Sequence, residues 1–380
     1  MSIDLALTIA ERFLTTDAAA IGGAGLSGLA GTALLHARLS HLDPTFARAA
    51  ALHWESALRT SPRTGSSIHQ PAGGVAASLI LGNLYLPAST RQSDIVSRAV
   101  RWLSAQASAT AQKAANLPQV YDAINGLAAT GRVLLSANVT GYPDAESGLR
   151  AALKALTAMI LDPRSEPRPG WWILPEHHLR SQDAPRSGAA DTGLAHGIAG
   201  PLALLAAALR ADREVPLQAD AIERAAEWLV EWQTPNSDWP PEVTGEEMDT
   251  GERVPLPGRR DAWCYGTPGI TNALRTAANV LNRPAWTRAA DDALKALDAK
   301  PAWDVEGPDI CHGHAGILVS VPRSSIAHDR AYSAMTTTLI PKAPGVLFGA
   351  VGVALALTEQ AEPRLHRNEG WQACLLLSPA

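Results

Sequence analysis

Two short motifs carry the side chains best suited to chemistry. One is Trp263-Cys264-Tyr265-Gly266 and the other is Cys311-His312-Gly313. Taken singly, a cysteine reads as readily as a small buried hydrophobe. Taken together, two thiols and one imidazole form a soft-to-borderline donor set that suits zinc. Three protein ligands leave the fourth tetrahedral position open, as in catalytic rather than structural zinc sites. Neighbouring Cys311 and His312 cannot share one face of a regular helix, but at a turn both can point at one ion. The third cysteine, Cys374, lies in an apolar ACLLL stretch with no histidine beside it and reads as core.

Two further positions stand out. His196, in GLAHG, can give or take a proton near neutral pH. Asp122 follows Tyr121 one repeat earlier, where it reads first as a helix N-cap, with orienting a histidine or positioning a substrate as the functional alternative.

These residues share a frame. A glycine-rich turn leading into an Ala/Leu segment recurs at 22–35, 73–84, 126–135, 193–205, 266–281, 313–321 and 345–357. Those segments are apolar nearly all round, which marks buried helices. Between them lie amphipathic stretches at 4–15, 47–59, 92–112, 146–161, 217–233, 285–299 and 326–338. In 217–233, Ile222, Ala225, Ala226, Leu229 and Val230 make one stripe, against Glu223, Arg224, Glu227 and Glu231. The order is amphipathic helix, then buried helix, seven times. Such a hairpin cannot cover its apolar face alone, so neighbours must stack. The first and last copies are as apolar as the rest, which favours a closed ring over an open solenoid. The expectation is one all-α toroid domain over residues 1–380, seven helices inside and seven outside, with the glycine turns gathered at one end. Two long proline-rich connections, 162–190 and 234–261, flank the motifs and read as a rim or lid.

Bulk properties narrow the function. Of 380 residues 46% are hydrophobic and 18% charged, so a large core is available. With a formal net charge of -5 and no long basic run, nucleic acid is a poor partner. Three cysteines argue against a disulfide scaffold. No signal peptide is recognisable, and the longest apolar runs are too short to span a bilayer. A cytoplasmic protein is expected, allowing association with a membrane-bound biosynthetic complex.

The motifs WCYG, CHG and GLAHGIAG at these repeat positions resemble the LanC-type lanthipeptide cyclases, the lanthionine synthetase C family. The PEHH stretch from Pro175 to His178 is similar to the family too. The resemblance runs over nearly the whole chain. It implies a toroid of seven inner and seven outer helices, with one zinc ion held by Cys264, Cys311 and His312. It implies an acid/base role for His196, and carries over Asp122, Tyr265 and Arg260 as further catalytic positions. The implied reaction adds precursor-peptide cysteine thiols to dehydroalanine or dehydrobutyrine, giving lanthionine or methyllanthionine. Zinc would ionise the incoming thiol. His196 would protonate the α-carbon, Arg260 or Tyr265 would stabilise the enolate, and Asp122 would position His196 or the substrate. The implied partners are a dehydrated precursor peptide, a separate LanB-type dehydratase and an export transporter. Two other readings compete: a LanC-like enzyme that adds glutathione to dehydrated residues in proteins, and a non-catalytic zinc-containing peptide-binding scaffold. The sequence departs from the family in Thr267, where arginine is common, and in LFGAVG, which lacks an acidic residue before its glycine. No β-rich insertion is evident in the early repeats.

Overall fold

The computed structural model describes residues 2–14, 21–62, 65, 67–113, 117–178, 184–252, 260–362 and 369–377. Fourteen helices make the ring. The outer ones are α1 (Ser2–Glu11), α3 (Pro44–Thr60), α5 (Thr90–Thr110), α7 (Glu146–Ile160), α9 (Gln218–Glu231), α11 (Pro284–Ala299) and α13 (Ile326–Thr337). The inner ones are α2 (Leu29–Leu39), α4 (Pro71–Gly82), α6 (Leu127–Val139), α8 (Ala199–Arg210), α10 (Thr267–Leu281), α12 (His314–Ser320) and α14 (Ala350–Ala361).

The pattern of burial explains which helices go inside. Every residue of α2 is buried, and so is the run Ala350 to Thr358 of α14. The outer α9 buries only one stripe, including Ala221, Ile222, Ala225 and Leu229. Outer helices start on conventional signals. Asp43 accepts from Thr45 N–H (2.7 Å) before Pro44, Ser89 accepts from Gln92 N–H (3.3 Å), and Ser325 accepts from His328 N–H (3.2 Å). Several inner helices start at glycine without a side-chain cap, as at Gly126, Gly266 and Gly313. Their first N–H groups instead reach carbonyls of the preceding turn, as in Leu29 to Gly23 (2.8 Å) and Ala350 to Ala343 (2.9 Å).

Each inner helix packs against the next around the ring, and α14 packs against α2. The array is therefore a closed α/α toroid. Each inner helix also packs on the outer helix that follows it in sequence. The last one, α14, packs on α1 instead, so the two ends of the chain complete the final hairpin together. No described helix is long and apolar enough to cross a membrane.

Two features go beyond the helical pattern. The long connections meet as a two-stranded antiparallel sheet, β1 (Ala189–Asp191) with β2 (Glu242–Thr244). Residues 179–183 and 253–259 of those connections lie outside the described residues. The second feature is the C-terminal segment, a 3₁₀ turn at Trp371–Leu375. It packs on α4 and α6. Trp371 N–H donates to Tyr85 Oη (2.9 Å), its indole donates to Glu359 (3.1 Å), and Leu375 C=O accepts from the Trp263 indole (3.0 Å). Those partners come from separate parts of the ring, so the segment fills its hollow. Cys374 is fully buried there, and burial pushes its thiol up to about 12, as fits an inert core residue. Trp371→Ala should open a cavity at this plug and cost about 3–5 kcal/mol of stability. Urea denaturation followed by circular dichroism checks this, and a loss below about 1 kcal/mol would mean the plug carries little load.

Candidate metal centre and active site

The turns before the inner helices are tied together in a belt at one end of the ring. Ala123 N–H donates to Ala195 C=O (2.9 Å), Ala195 N–H to Cys264 C=O (3.0 Å), and Cys264 N–H to Cys311 C=O (3.4 Å). Cys311 N–H continues to Leu347 C=O (3.0 Å), and Val346 N–H to Leu26 C=O (3.1 Å). Residues far apart in sequence thus become neighbours through main-chain bonds, which side-chain substitutions leave intact.

The belt sets the site. Among the described residues, the donor atoms of Cys264, Cys311 and His312 lie within 4.8 Å of one another. Both cysteines are buried and His312 is partly open. This donor set fits a zinc ion: soft sulfur with imidazole, close enough for one metal, and reachable from the His312 side. The hydrogen bond from the Cys311 thiol, reinforced by His312, holds the Cys264 thiol down to about 6, while the same bond and burial push Cys311 up. Loss of the Cys264 proton is therefore favoured over an ordinary thiol, which suits that sulfur to a cation.

Two glycines are required by contact. Gly266 adopts φ +110°, and a Cβ there would strike the Arg260 carbonyl at 1.8 Å. A Cβ on Gly193 would meet the Tyr265 ring at 2.6 Å and the Cys264 carbonyl at 2.7 Å. The turn that bears the first cysteine can pack against the GLAHG turn only because of them.

His196 stands on that neighbouring turn. Its Nδ1 bonds Asp122 Oδ2 at 2.6 Å, and Asp122 is fully buried. Asp122 Oδ1 also accepts from the N–H groups of Ile124 (3.0 Å) and Asn125 (2.5 Å). The carboxylate is thus a turn-former and a partner of histidine, but not the helix N-cap read from sequence, since α6 starts at Gly126 without a side-chain cap. Burial alone would lower the His196 pKa. The Asp122 bond and charge, with the charges of Asp191 and Cys264, outweigh it and hold the pKa above the ordinary value. The Tyr265 ring lies 6.3 Å from the His196 ring, and its hydroxyl donates to Asp191 Oδ2 (2.9 Å). Arg260 donates to Glu306 (2.5 Å), whose other oxygen is 3.4 Å from His312 Nδ1.

All seven residues singled out from the sequence fall on the belt or beside it. Several neighbours were not singled out. Glu306 links Arg260 to His312, and Asp309 Oδ1 accepts from His312 N–H (3.0 Å). Phe348, 55% exposed, sets its ring against His312 (5.3 Å between centroids) at the turn where the acidic residue is missing. His69, on the turn before α4, senses the His196 charge, and burial first of all lowers its pKa to about 4. Only its place at a repeat turn could have pointed to it. A second set of close donors, His178, Asp191 and Glu242, is buried behind Tyr265.

A helical ring that gathers two thiols, an imidazole and a carboxylate-held histidine where its turns meet defines a class: α/α-toroid proteins with a donor set ready for a metal. Residues 24–324 match the family model described as "Lanthionine synthetase C-like protein". The chain belongs to the lanthionine synthetase C-like family. A solved structure of nisin cyclase is similar in fold, with a TM-score of 0.81 over 98% of this chain and 96% of that chain at 21% identity. No curated protein sequence matches the chain.

Proposed function

We propose that this protein is a zinc-dependent lanthipeptide cyclase whose residues act together as one catalytic domain. Its substrate is a precursor peptide dehydrated beforehand by a separate dehydratase, with an export transporter acting later. The supporting observation is that the Cys264–Cys311–His312 set and the Asp122-held His196 stand on adjoining turns of one belt.

Cys264, Cys311 and His312 would hold the ion, and its chemistry when bound is to lower the pKa of a thiol and keep it as a nucleophilic thiolate. The reaction forms a bond from the peptide sulfur to the β-carbon of dehydroalanine or dehydrobutyrine. The thiol proton is given up and one proton is added to the α-carbon, so nothing is lost overall. His196, whose pKa the Asp122 bond and charge raise against burial, faces the turn that bears Cys264 and is the proton donor to that carbon. The developing enolate oxygen needs a donor. Arg260 supplies it, since a guanidinium has five N–H groups and the Glu306 bond uses one. Glu306 steadies Arg260 and His312 together.

The test incubates the zinc-loaded protein with a dehydrated, cysteine-containing peptide and counts free thiols by alkylation and mass spectrometry. Thiols should disappear faster than in an enzyme-free control, with no change in peptide mass before alkylation. Equal rates would end the cyclase reading. Mass gain from added glutathione, with the peptide's own thiols untouched, would move the activity to glutathione addition.

A further inference from the structure

The two long connections build a polar cluster that the proposed reaction does not use. Strand β1 ends on Asp191, and its register partner on β2 is Glu242. Both carboxylates are buried, and their oxygens lie within 4.8 Å of each other and of a His178 ring nitrogen. His178 Nε2 bonds Glu242 Oε2 at 2.9 Å. Asp191 Oδ2 accepts from the Tyr265 hydroxyl at 2.9 Å. A line of contacts therefore runs from the connections through the sheet to a tyrosine beside His196 and next in sequence to Cys264.

Two adjacent buried carboxylates need compensation. His178 compensates Glu242. Asp191 has lost its water and sits beside a second carboxylate, so a good donor is valuable to it, and Tyr265 supplies one. Burial first, and then the Glu242 charge, raise Asp191 to about 6, against the pull of Tyr265, His178 and His196. Tyr121 faces the same carboxylate and, with its hydroxyl buried, holds its proton well above the usual range. The consequence falls on Tyr265. A phenol has one proton, and Asp191 takes it, which leaves the oxygen as an acceptor.

We propose that Asp191, backed by Glu242 and His178, is a positioning residue that pins the Tyr265 proton, so that Tyr265 presents its oxygen to accept a backbone N–H of the peptide substrate. The inference rests on the cyclase reading for the nature of the ligand. It assigns the small sheet a role: the sheet carries Asp191 and Glu242 to the back of the site at a fixed separation. It also separates Tyr265 from the proton-transfer chemistry, which falls to His196.

The test measures binding rather than turnover, so it does not depend on whether the protein cyclises anything. The probe is a synthetic, leaderless peptide carrying one dehydroalanine and one S-methylcysteine, titrated by calorimetry into the zinc-loaded full chain. One amide hydrogen bond corresponds to roughly a fivefold change in Kd. Asp191→Asn and Tyr265→Phe should each weaken binding by about that factor. Because both remove the same contact, the double variant should bind no more weakly than Tyr265→Phe alone. Glu242→Gln is the second route if Asp191→Asn does not fold. Its amide can donate to Asp191 and compete with Tyr265, so it should give a smaller loss that also vanishes in the Tyr265→Phe background. Additive losses, unchanged Kd in Asp191→Asn, or no binding by the unaltered protein would each overturn the proposal. Binding that behaves as expected in a protein that leaves thiols untouched would uphold it and refute only the cyclase activity.

Discussion

Cys264→Ala is expected to yield a folded protein that retains no zinc and consumes no peptide thiols above the uncatalysed rate. The fold should survive because Cys264 joins the belt through its main chain. Its N–H goes to Cys311 and its carbonyl takes Ala195, and alanine keeps both bonds. The metal should not survive, because an open zinc site with three protein ligands has none to spare. Two donors, Cys311 and the partly open His312, would remain. Loss of a supporting contact around a metal costs about 10–100-fold, so removal of a ligand itself should exceed about 100-fold in activity. Metal content by mass spectrometry, circular dichroism and the thiol count are the three measurements. One zinc per chain in Cys264→Ala would contradict the ligand set. Zinc lost with cyclisation intact would contradict zinc dependence. Chelation of the unaltered protein should reproduce the variant, and added zinc should restore activity to the chelated protein but not to Cys264→Ala.

The ring was legible in the sequence because it is periodic. The alternation of all-round apolar and one-striped segments places all fourteen helices, and apolar first and last copies imply closure. The ranges 193–205 and 345–357 open on their glycine turns, and the helices themselves begin at Ala199 and Ala350. The glycine turns look helical in composition, but their N–H groups fold back on turn carbonyls before the helix begins, as in Ile198 to Asp191 (3.0 Å). The site was legible for the same reason as the ring. Cys264, Cys311 and His196 occupy matching turns, and a closed ring makes matching turns neighbours. What escaped has no period. Asp191 and Glu242 lie on three-residue strands that leave too little pattern to read, and the PEHH stretch that ends on His178 gave no sign of its pairing with them. The plug at Trp371–Leu375 is one irregular turn whose partners, such as Tyr85 and Trp263, are remote in the chain. Phe348 entered the sequence reading only through LFGAVG, as the place of a missing acidic residue; its meaning comes from standing edge-on to His312.

His196→Asn should keep its zinc and lose cyclisation, with kcat lower by about 10²–10⁴, the usual worth of a placed acid or base. The pH profile tests the mechanism more closely than the loss does. The proposed step needs the imidazolium. The Asp122 bond and charge overcome burial and hold His196 above the ordinary histidine value. Activity should therefore persist below that raised pKa and fall as pH climbs through it. In Asp122→Asn the amide can still accept from Nδ1 but brings no charge, so the alkaline fall should move to lower pH. Two neighbours of His196 do not produce that limb. His69 is held down to about 4 and is neutral throughout, while burial and the Asp191 charge keep the Tyr265 phenol protonated well past the range. Normal ring formation by His196→Asn would remove this residue from the chemistry. An alkaline limb that does not move in Asp122→Asn would leave His196 in the site but assign the titrating proton to another group. The two variants thus separate the presence of the histidine from its charge, and it is the charge that the 2.6 Å bond to a fully buried carboxylate is built to maintain.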